Sequence, residues 1–155
     1  ELGPLLEECV ATMRVAADGR QTELRLTRGG APLVRGSAVL LRRAIENLIA
    51  NAIKFSPQGG RVWIELRRER DHAVVEVRDH GPGIPAHEME LLFRPFFRGS
   101  NARLADGHGL GLTLVQRVVK AHGGEVAAEN AAGGGLRVTL RLPLLREEEP
   151  VQAGA

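Results

Sequence analysis

The segment that decides the fold is Val39-Leu-Leu-Arg-Arg-Ala-Ile-Glu-Asn-Leu-Ile-Ala-Asn-Ala-Ile-Lys-Phe55. Its apolar residues recur at helical spacing, which predicts a helix with one face buried. Three polar residues, Asn47, Asn51 and Lys54, lie four and three residues apart and share another face of that helix. Two amides and one ammonium group are a poor design for a hydrophobic core. They suit a site for a hydrated divalent cation and a polyphosphate.

This polar face has two interpretations. Polar residues at such a spacing usually form a solvated helix face. Both asparagines, however, have poorer helix propensity than Ala, Glu or Lys, which favours a functional reason for their presence. An Asn carbonyl oxygen suits Mg²⁺, which keeps several waters and takes few protein ligands, and Lys54 would neutralise phosphate charge.

Length and composition indicate one domain with a single core. The chain has 155 residues, of which 43% are hydrophobic. No stretch approaches the roughly 20 apolar residues that a membrane span requires. The first residue is Glu1 rather than Met, so we expect the chain to be a piece of a longer protein. The lone Cys9 excludes an internal disulfide and fits a reducing compartment.

The charge pattern bears on nucleic-acid binding. The net charge is only +2, although the pI is about 9.3. The basic residues are dispersed, with residues 67–70 the densest run, and aromatic residues make up 3% of the chain. A basic stripe with stacking aromatics is absent from the sequence, so we expect a solvated arginine-rich surface and no nucleic-acid partner.

Alternating apolar residues predict the strands. Leu24 and Leu26 indicate a first strand, and Leu33-Val34 could form a short second one. An antiparallel pair should follow, with a turn around Arg70-Asp71, and a hairpin around residues 133–135 should end the fold. With about three helices on one face, the predicted class is α+β, a two-layer α/β sandwich with a mixed, mostly antiparallel sheet.

Helix signals and composition set the predicted boundaries. Ser37 is the expected N-cap of the helix over residues 38–55. A short helix is predicted over residues 85–93, and a longer one over residues 109–121 with Gly123-Gly124 after it. We expect residues 1–20 to be a linker from an upstream domain rather than a core element, residues 21–143 to be the folded domain, and residues 144–155 to be a disordered tail.

Asp79 is the most informative single residue. Strand alternation places it on the inward face with Val75 and Val77, and a buried carboxylate is costly unless donors reach it. The following Gly81-Pro82-Gly83 turn leaves open space, which a ligand with an exocyclic amino group, such as adenine, would fill. The alternative is an aspartate that caps its own turn.

A second glycine-rich element opens the last predicted helix. Gly107-His108-Gly109-Leu110-Gly111-Leu112 would let a ligand approach the backbone, and the amides of a helix N-terminus favour phosphate. It is neither a Walker loop nor a dinucleotide fingerprint. The glycines could instead form only a flexible joint. In the functional interpretation this joint belongs to a mobile lid, residues 94–106, that closes on nucleotide.

Four ordered motifs resemble the N, G1, F and G2 boxes of sensor histidine kinases. They are residues 47–57, residues 79–84, Leu92-Phe-Arg-Pro-Phe-Phe-Arg98 and residues 107–112. The resemblance covers roughly residues 24–143 and implies the ATP-binding catalytic domain of a two-component sensor, with a Bergerat-type sandwich. It departs from the family at Leu136, where threonine is usual, and at Phe55, where tyrosine is frequent.

The resemblance implies a role for each matching residue. Asn51 would ligate Mg²⁺, with Asn47 and Lys54 near the phosphates, and Asp79 would bind the adenine amino group. Arg98 is a candidate γ-phosphate contact and, with Asn47 and Lys54, a candidate catalytic residue. The remaining predicted nucleotide contacts and lid anchors are Phe55, Gly81, Gly83, Ile84, Phe93, Phe96, Phe97, Gly107, His108, Gly109, Leu110, Gly111 and Leu112.

The residue at position 47 bears on the reaction. Related ATPases such as DNA gyrase B and the heat-shock chaperones place a water-activating glutamate four residues before the metal asparagine. Asn47 cannot act as a general base, and Glu46 points about 100° around the helix. We therefore predict phosphoryl transfer to a histidine. The alternatives are an ATPase or anti-sigma-type serine kinase of the same fold, and a degenerate interaction module.

The resemblance also implies partners and a location. No acceptor motif follows His87-Glu88, so the acceptor histidine is expected on an upstream helical dimerisation domain, with a response regulator receiver domain next in the relay. We expect a monomeric domain within a homodimeric parent. The location implied is the cytoplasmic side of a membrane-anchored sensor.

Overall fold

The computed structural model describes residues 1–94 and 111–146. They form a five-stranded sheet in the order β1-β2-β3-β5-β4, with three α-helices packed on one face. The strands are β1 (Glu23–Arg28), β2 (Arg61–Glu69), β3 (His72–Arg78), β4 (Glu125–Asn130) and β5 (Leu136–Pro143). The helices are α1 (Leu2–Gly19), α2 (Ala38–Phe55) and α3 (Gly111–Ala121), and a short 3₁₀ helix spans Ala86–Leu91. The predicted sandwich class is confirmed.

The sheet is mixed, as predicted. β1 pairs with β2 in parallel, whereas the β2–β3, β3–β5 and β4–β5 pairs are antiparallel. On β5, Leu136, Val138, Leu140 and Leu142 are buried while the residues between them are partly exposed, so one face meets the helices. The tight β2–β3 turn places Arg70 at a φ of 54°. The alternation of the sequence thus determines which side of the sheet carries the core.

Helix α2 lies at the centre of the helical layer and packs against both other helices. It begins as predicted, because the Ser37 side chain accepts a hydrogen bond from Leu40 N at 3.2 Å. The buried side chains that form its core face are Leu41, Ala44, Ile45, Leu48, Ile49, Ala52 and Ile53. The faces of α2 that bear Asn47 and Asn51 therefore lie outside this core stripe.

The N-terminal segment is a core helix, which corrects the prediction of a linker over residues 1–20. Helix α1 packs against α2 and β1, and its apolar stripe is fully buried at Leu2, Leu6 and Cys9. Pro4 lies in the first turn, where a missing N–H removes no helical bond. The polar breaks that suggested a linker are the solvent side of this amphipathic helix. A connection to an upstream domain stays a prediction.

Two smaller expectations are wrong. Leu33-Val34 forms no strand; instead the Leu33 carbonyl accepts a hydrogen bond from Leu145 N at 2.7 Å. Residues 144–146 are held by this bond and by the bond from Leu144 N to Asp71 O, so they do not belong to the predicted tail, and residues 147–155 lie outside the described part. The short helix predicted over residues 85–93 is present as a 3₁₀ helix.

The open face of the sheet is covered by ion pairs. Arg67 contacts Glu76 at 3.0 Å and Glu69 at 3.5 Å, and Arg137 contacts the same Glu76 at 3.2 Å. Such partly exposed pairs contribute little stability individually. Their effect is to give this face a mixed, solvated surface, so the apolar surface of the sheet is concentrated on the side of the helices. No helix in the described part is both long and apolar enough to cross a bilayer.

Truncating Leu6 to alanine tests whether α1 belongs to the core. Leu6 is fully buried, so Leu6→Ala should lower the free energy of unfolding by about 2–5 kcal/mol in urea titrations. Val15 lies on the same helix but is 81% exposed, and Val15→Ala is the matched control with a change below about 0.5 kcal/mol. Equal, small effects of both changes would show that α1 is only a connecting segment.

Candidate functional site

The Asp79 carboxylate is buried at the end of β3, as strand alternation predicts. Its side chain is 4% exposed, and its Oδ1 accepts hydrogen bonds from Gly81 N at 2.9 Å and Leu136 N at 3.1 Å. Burial raises the pKa of this carboxyl, and the two backbone donors oppose that rise. The bond to Gly81 is the self-capping turn of the alternative interpretation. The same acid therefore caps its turn and presents a buried carboxylate.

The turn after Asp79 contacts the last turn of α2. A side chain on Gly81 would collide with the carbonyl oxygen of Phe55, so only glycine permits this approach. The backbone is also held by a hydrogen bond from His80 N to Ser56 Oγ at 3.3 Å. Phe55 thus contributes its backbone to the predicted base pocket.

The start of α3 contacts α2 one turn earlier. A Cβ on Gly111 would lie 3.7 Å from Asn51 Oδ1 and 3.8 Å from Asn51 Nδ2. Asn51 and Phe55 are separated by one helical turn, about 6 Å along the axis. The Gly81 turn and the N-terminus of α3 therefore meet neighbouring turns of the same helix. The structure brings the predicted adenine and phosphate elements together along α2.

Asn47 and Lys54 both lie on α2, but their side chains differ in exposure to solvent. Asn47 is half-buried, and its Nδ2 donates to the carbonyl oxygen of Arg43 at 2.9 Å. Lys54 is exposed in the last turn. The shared polar face predicted from the sequence is present, although one amide is also tied to its helix.

Among the predicted contacts, Ile84, Leu112 and Phe93 lie in or against the hydrophobic core. Ile84 and Leu112 are buried, and Phe93 is partly buried against the core cluster. The hydroxyl of Thr113 donates to the Phe93 carbonyl at 3.0 Å, which joins the first turn of α3 to the end of the 3₁₀ segment. These three side chains are therefore core-packing residues, and their contact with nucleotide stays a prediction.

Several predicted residues lie outside the described part of the chain, and their roles stay predictions. They are Phe96, Phe97, Arg98, Gly107, His108, Gly109 and Leu110.

The structure adds three contributions that the sequence reasoning missed. Asn130 at the end of β4 binds the backbone of Ile84 through both ends of its amide, at 2.8 and 2.7 Å. Ser56 Oγ joins the α2 end to the Asp79 turn. The backbone N–H of Leu136 binds Asp79, a contact that any residue other than proline supplies. No local pattern signals these contacts, because each joins segments distant in sequence.

The donor set limits how a metal could be held. Among the described residues, no three His, Cys, Asp or Glu side chains are grouped so that they could bind a metal ion. A cation here would take a neutral amide oxygen, and Asn51 is the amide beside the α3 N-terminus. Such a ligand set fits Mg²⁺, which relies on phosphate oxygens and water for its other positions.

Comparisons with known proteins agree with this geometry. The family model "Histidine kinase-, DNA gyrase B-, and HSP90-like ATPase" matches residues 36–146. The signal transduction histidine-protein kinase/phosphatase MprB of Mycobacterium avium is 46% identical over 101 residues, covering 64% of this chain and 19% of that protein. The sensor-like histidine kinase SenX3 of Mycobacterium tuberculosis is 36% identical over 160 residues, covering 99% of this chain and 39% of that protein. The chain thus spans between about a fifth and two fifths of these relatives.

Solved structures show the same relationship. A mycobacterial sensor histidine kinase MprB structure superimposes with a TM-score of 0.84 at 34% identity, covering 92% of this chain and 95% of that one. The ATP-binding domain of PrrB from Mycobacterium tuberculosis gives a TM-score of 0.75 at 28% identity, covering 94% and 96%. The chain therefore belongs to the histidine kinase-, DNA gyrase B- and HSP90-like ATPase family, as an ATP-binding domain of the sensor histidine kinase type.

Proposed function

We propose that this domain binds Mg·ATP with the adenine against Asp79 and transfers the γ-phosphate to a histidine of a separate helical dimerisation domain. A response regulator receiver domain would take the phosphoryl group next. The observation that carries the proposal is the buried Asp79 carboxylate, whose two backbone donors both bind Oδ1. Oδ2 is then the oxygen that would accept a hydrogen bond from the adenine amino group.

Burial explains why a purine amine would be recognised here. The pKa of Asp79 is raised because its surroundings solvate the charge poorly. A ligand N–H that reaches the carboxylate replaces part of this lost solvation, and a hydrogen bond to a charged group is worth about 1.5–3 kcal/mol. A base with a carbonyl group at that position would instead place a hydrogen-bond acceptor against the Asp79 carboxylate, which is also an acceptor. The pocket should therefore prefer adenine to guanine.

The phosphate end of the site would be formed by α2 and the start of α3. Asn51 Oδ1 would be the protein ligand of Mg²⁺, and backbone amides at the α3 N-terminus would face the phosphates. When bound, the cation would neutralise charge on the β- and γ-phosphates. Asn47 and Lys54 would then orient the γ-phosphate for attack by the acceptor imidazole, with Arg98 as the proposed further contact.

The environment of Glu46 supports phosphotransfer over hydrolysis. The pKa of the Cys9 thiol is raised to about 11, chiefly by burial and then by the charge of Glu46. Helical spacing turns Glu46 about 100° around α2 from Asn47. We therefore expect neither Glu46 nor the amide of Asn47 to activate a water molecule. The phosphoryl group should await a nucleophile supplied by a partner domain.

The parent protein would extend well beyond this chain, as its curated relatives do. We place the domain on the cytoplasmic side of a membrane-anchored sensor, where ATP and response regulators are available. Within that protein, α1 would join the core of this domain to the dimerisation helices, and dimerisation would be a property of those helices rather than of this domain.

Asp79→Asn should abolish adenine nucleotide binding without unfolding the domain. The amide keeps an oxygen for Gly81 N and Leu136 N but loses the charge that binds the purine amine, so ADP should bind at least about tenfold more weakly in calorimetry. The nucleotide-free variant should be no less stable than the wild type, because a buried charge is removed. A folded variant with unchanged ADP affinity would refute the adenine assignment.

The raised pKa of Asp79 also gives this variant a second readout. The Asp79 carboxyl has a higher pKa in the folded protein than its ordinary value. Its contribution to the free energy of unfolding therefore falls as pH rises from the ordinary pKa through the folded-state pKa. Urea titrations across that window should show this fall in the difference between the wild type and Asp79→Asn, because Glu23 and Glu69, whose pKa values are lowered, act in the opposite direction in both proteins. The control is Asp71→Asn, an exposed acid in the β2–β3 turn, which should keep both the slope and ADP binding.

Asn51→Ala should uncouple nucleotide binding from magnesium. Removing the amide oxygen takes away the proposed protein ligand, so the gain in ADP affinity between EDTA and Mg²⁺ should shrink by about tenfold or more. The affinity without metal should stay near that of the wild type, because the base contacts are intact. Gln116→Ala, which removes a half-buried amide of α3 outside the predicted site, is the control. An unchanged magnesium effect would rule out Asn51 as the ligand.

Phosphotransfer can be measured by mixing this domain, labelled ATP and the helical acceptor domain of the parent protein. We expect acid-labile, base-stable phosphate on the acceptor and little release of free phosphate. Asn47→Asp should slow the transfer by about tenfold or more while ADP affinity changes less, because the new charge opposes the transferring phosphoryl group. Acid-stable phosphoserine, or rapid hydrolysis without acceptor, would favour the serine kinase or ATPase alternatives.

A further inference from the structure

The side chain of Asn130 grips the backbone of Ile84 at two points. Its Oδ1 accepts a hydrogen bond from Ile84 N at 2.8 Å, and its Nδ2 donates to Ile84 O at 2.7 Å. A single amide thus satisfies both polar groups of one residue in an irregular loop. The two residues are 46 positions apart in the sequence, so this pair is a tertiary contact.

The loop is shaped to receive this amide. Gly83, just before Ile84, has a φ of +76°, which a residue with a side chain rarely adopts. A Cβ on Gly83 would lie 2.6 Å from Asn130 Oδ1 and would push the amide away. Glycine at this position therefore serves two ends: it permits the turn and leaves room for Asn130.

The hairpin that carries Asn130 also holds Asp79. Asn130 pairs with Leu136 across the β4–β5 ladder, and Leu136 N is one of the two donors to the Asp79 carboxylate. The Asp79 N–H in turn donates to Leu136 O at 3.0 Å, and Ala131 N donates to Gly135 O at 2.8 Å. The end of the β4–β5 hairpin thus fixes the position of both the Asp79 carboxylate and the loop of residues 81–84.

We propose that Asn130 is a positioning residue for the nucleotide base. It acts through Ile84 and not by touching the ligand: its amide fixes the loop of residues 81–84 at the distance from Asp79 at which a planar base fits between them. This inference rests on the proposed function, in which Asp79 and this loop bind adenine. It assigns to the end of β4 a role in ligand affinity that lies outside the four sequence motifs.

The two hydrogen bonds from Asn130 to Ile84 are called the clamp below. Asn130→Asp is the decisive variant because protonation of the new carboxyl can restore this clamp. A neutral carboxylic acid has one acceptor oxygen and one O–H donor in nearly the shape of the amide, so it can pair with both groups of Ile84. An ionised carboxylate has no donor and would face the Ile84 carbonyl with a negative charge. The ratio of wild-type to variant ADP affinity should therefore depend on pH for this variant.

We expect Asn130→Asp to bind ADP about 10-fold or more weakly than the wild type at about pH 8, corresponding to the loss of two hydrogen bonds. The Ile84 carbonyl faces the new carboxyl and should raise its pKa above the ordinary value of about 3.9, so the difference should narrow at least about threefold by about pH 5. Calorimetry without Mg²⁺ keeps metal binding out of the comparison. Dividing by the wild-type affinity at each pH removes the pH effects that the variant and the wild type share.

Two neutral or distant variants control for charge and for the strand. Asn130→Ala removes the clamp without adding charge, so it should also bind ADP about 10-fold more weakly, with no recovery at low pH. Glu129→Gln alters the neighbouring residue, whose side chain pairs with Arg137, and should bind as the wild type does. Urea titrations establish that each variant is folded under the conditions of the binding assay.

The outcomes separate this inference from the function on which it rests. Loss of ADP binding in Asp79→Asn, together with unchanged binding in Asn130→Ala and Asn130→Asp, would overturn the clamp alone. Unchanged binding in Asp79→Asn would overturn the adenine site and the clamp with it. If Asn130→Asp does not fold at about pH 8, weakened binding by folded Asn130→Ala supports the clamp and wild-type binding overturns it.

Discussion

The structure depends on one buried charge, the carboxylate of Asp79. It lies where a strand leaves the sheet, and its burial is tolerable only because two backbone N–H groups converge on one of its oxygens. One donor comes from its own turn and the other from the start of β5. Sheet order, hairpin register and glycine turn must all be correct for this arrangement to exist. The other oxygen is then available for recognition.

The glycines make this arrangement possible by bringing backbone against backbone. Gly81 allows the turn to contact the Phe55 carbonyl, and Gly135 allows the β4–β5 hairpin to contact the Asp79 carbonyl. A side chain at position 81 or 135 would collide with the carbonyl oxygen that this glycine approaches. Gly111 brings the N-terminus of α3 close to Asn51. In the described part of the chain, the candidate site is therefore framed by close backbone approaches around α2.

Strand alternation and helix spacing predicted most of this architecture correctly. They placed the strands, the start of α2 and the inward direction of Asp79, because each of these depends on a periodic local pattern. The same reasoning failed for α1, whose apolar stripe is interrupted by polar residues and whose stability comes from packing on α2 and β1. It also failed where an end of the chain is ordered by distant backbone, as in the bond from Leu145 to Leu33.

The sequence by itself determined the family and the identity of the polar groups, because motif order and residue type are properties of the chain. It also determined which face of each strand is buried. Only the tertiary structure decided how those groups are held. The Leu136 backbone N–H donates to Asp79, and Ser56 Oγ accepts a hydrogen bond from the Asp79 turn. Asn130 forms hydrogen bonds with Ile84, 46 residues away in the sequence. The physical reason is that such hydrogen bonds depend on the register and approach of distant segments. Those are set by the packing of the whole core.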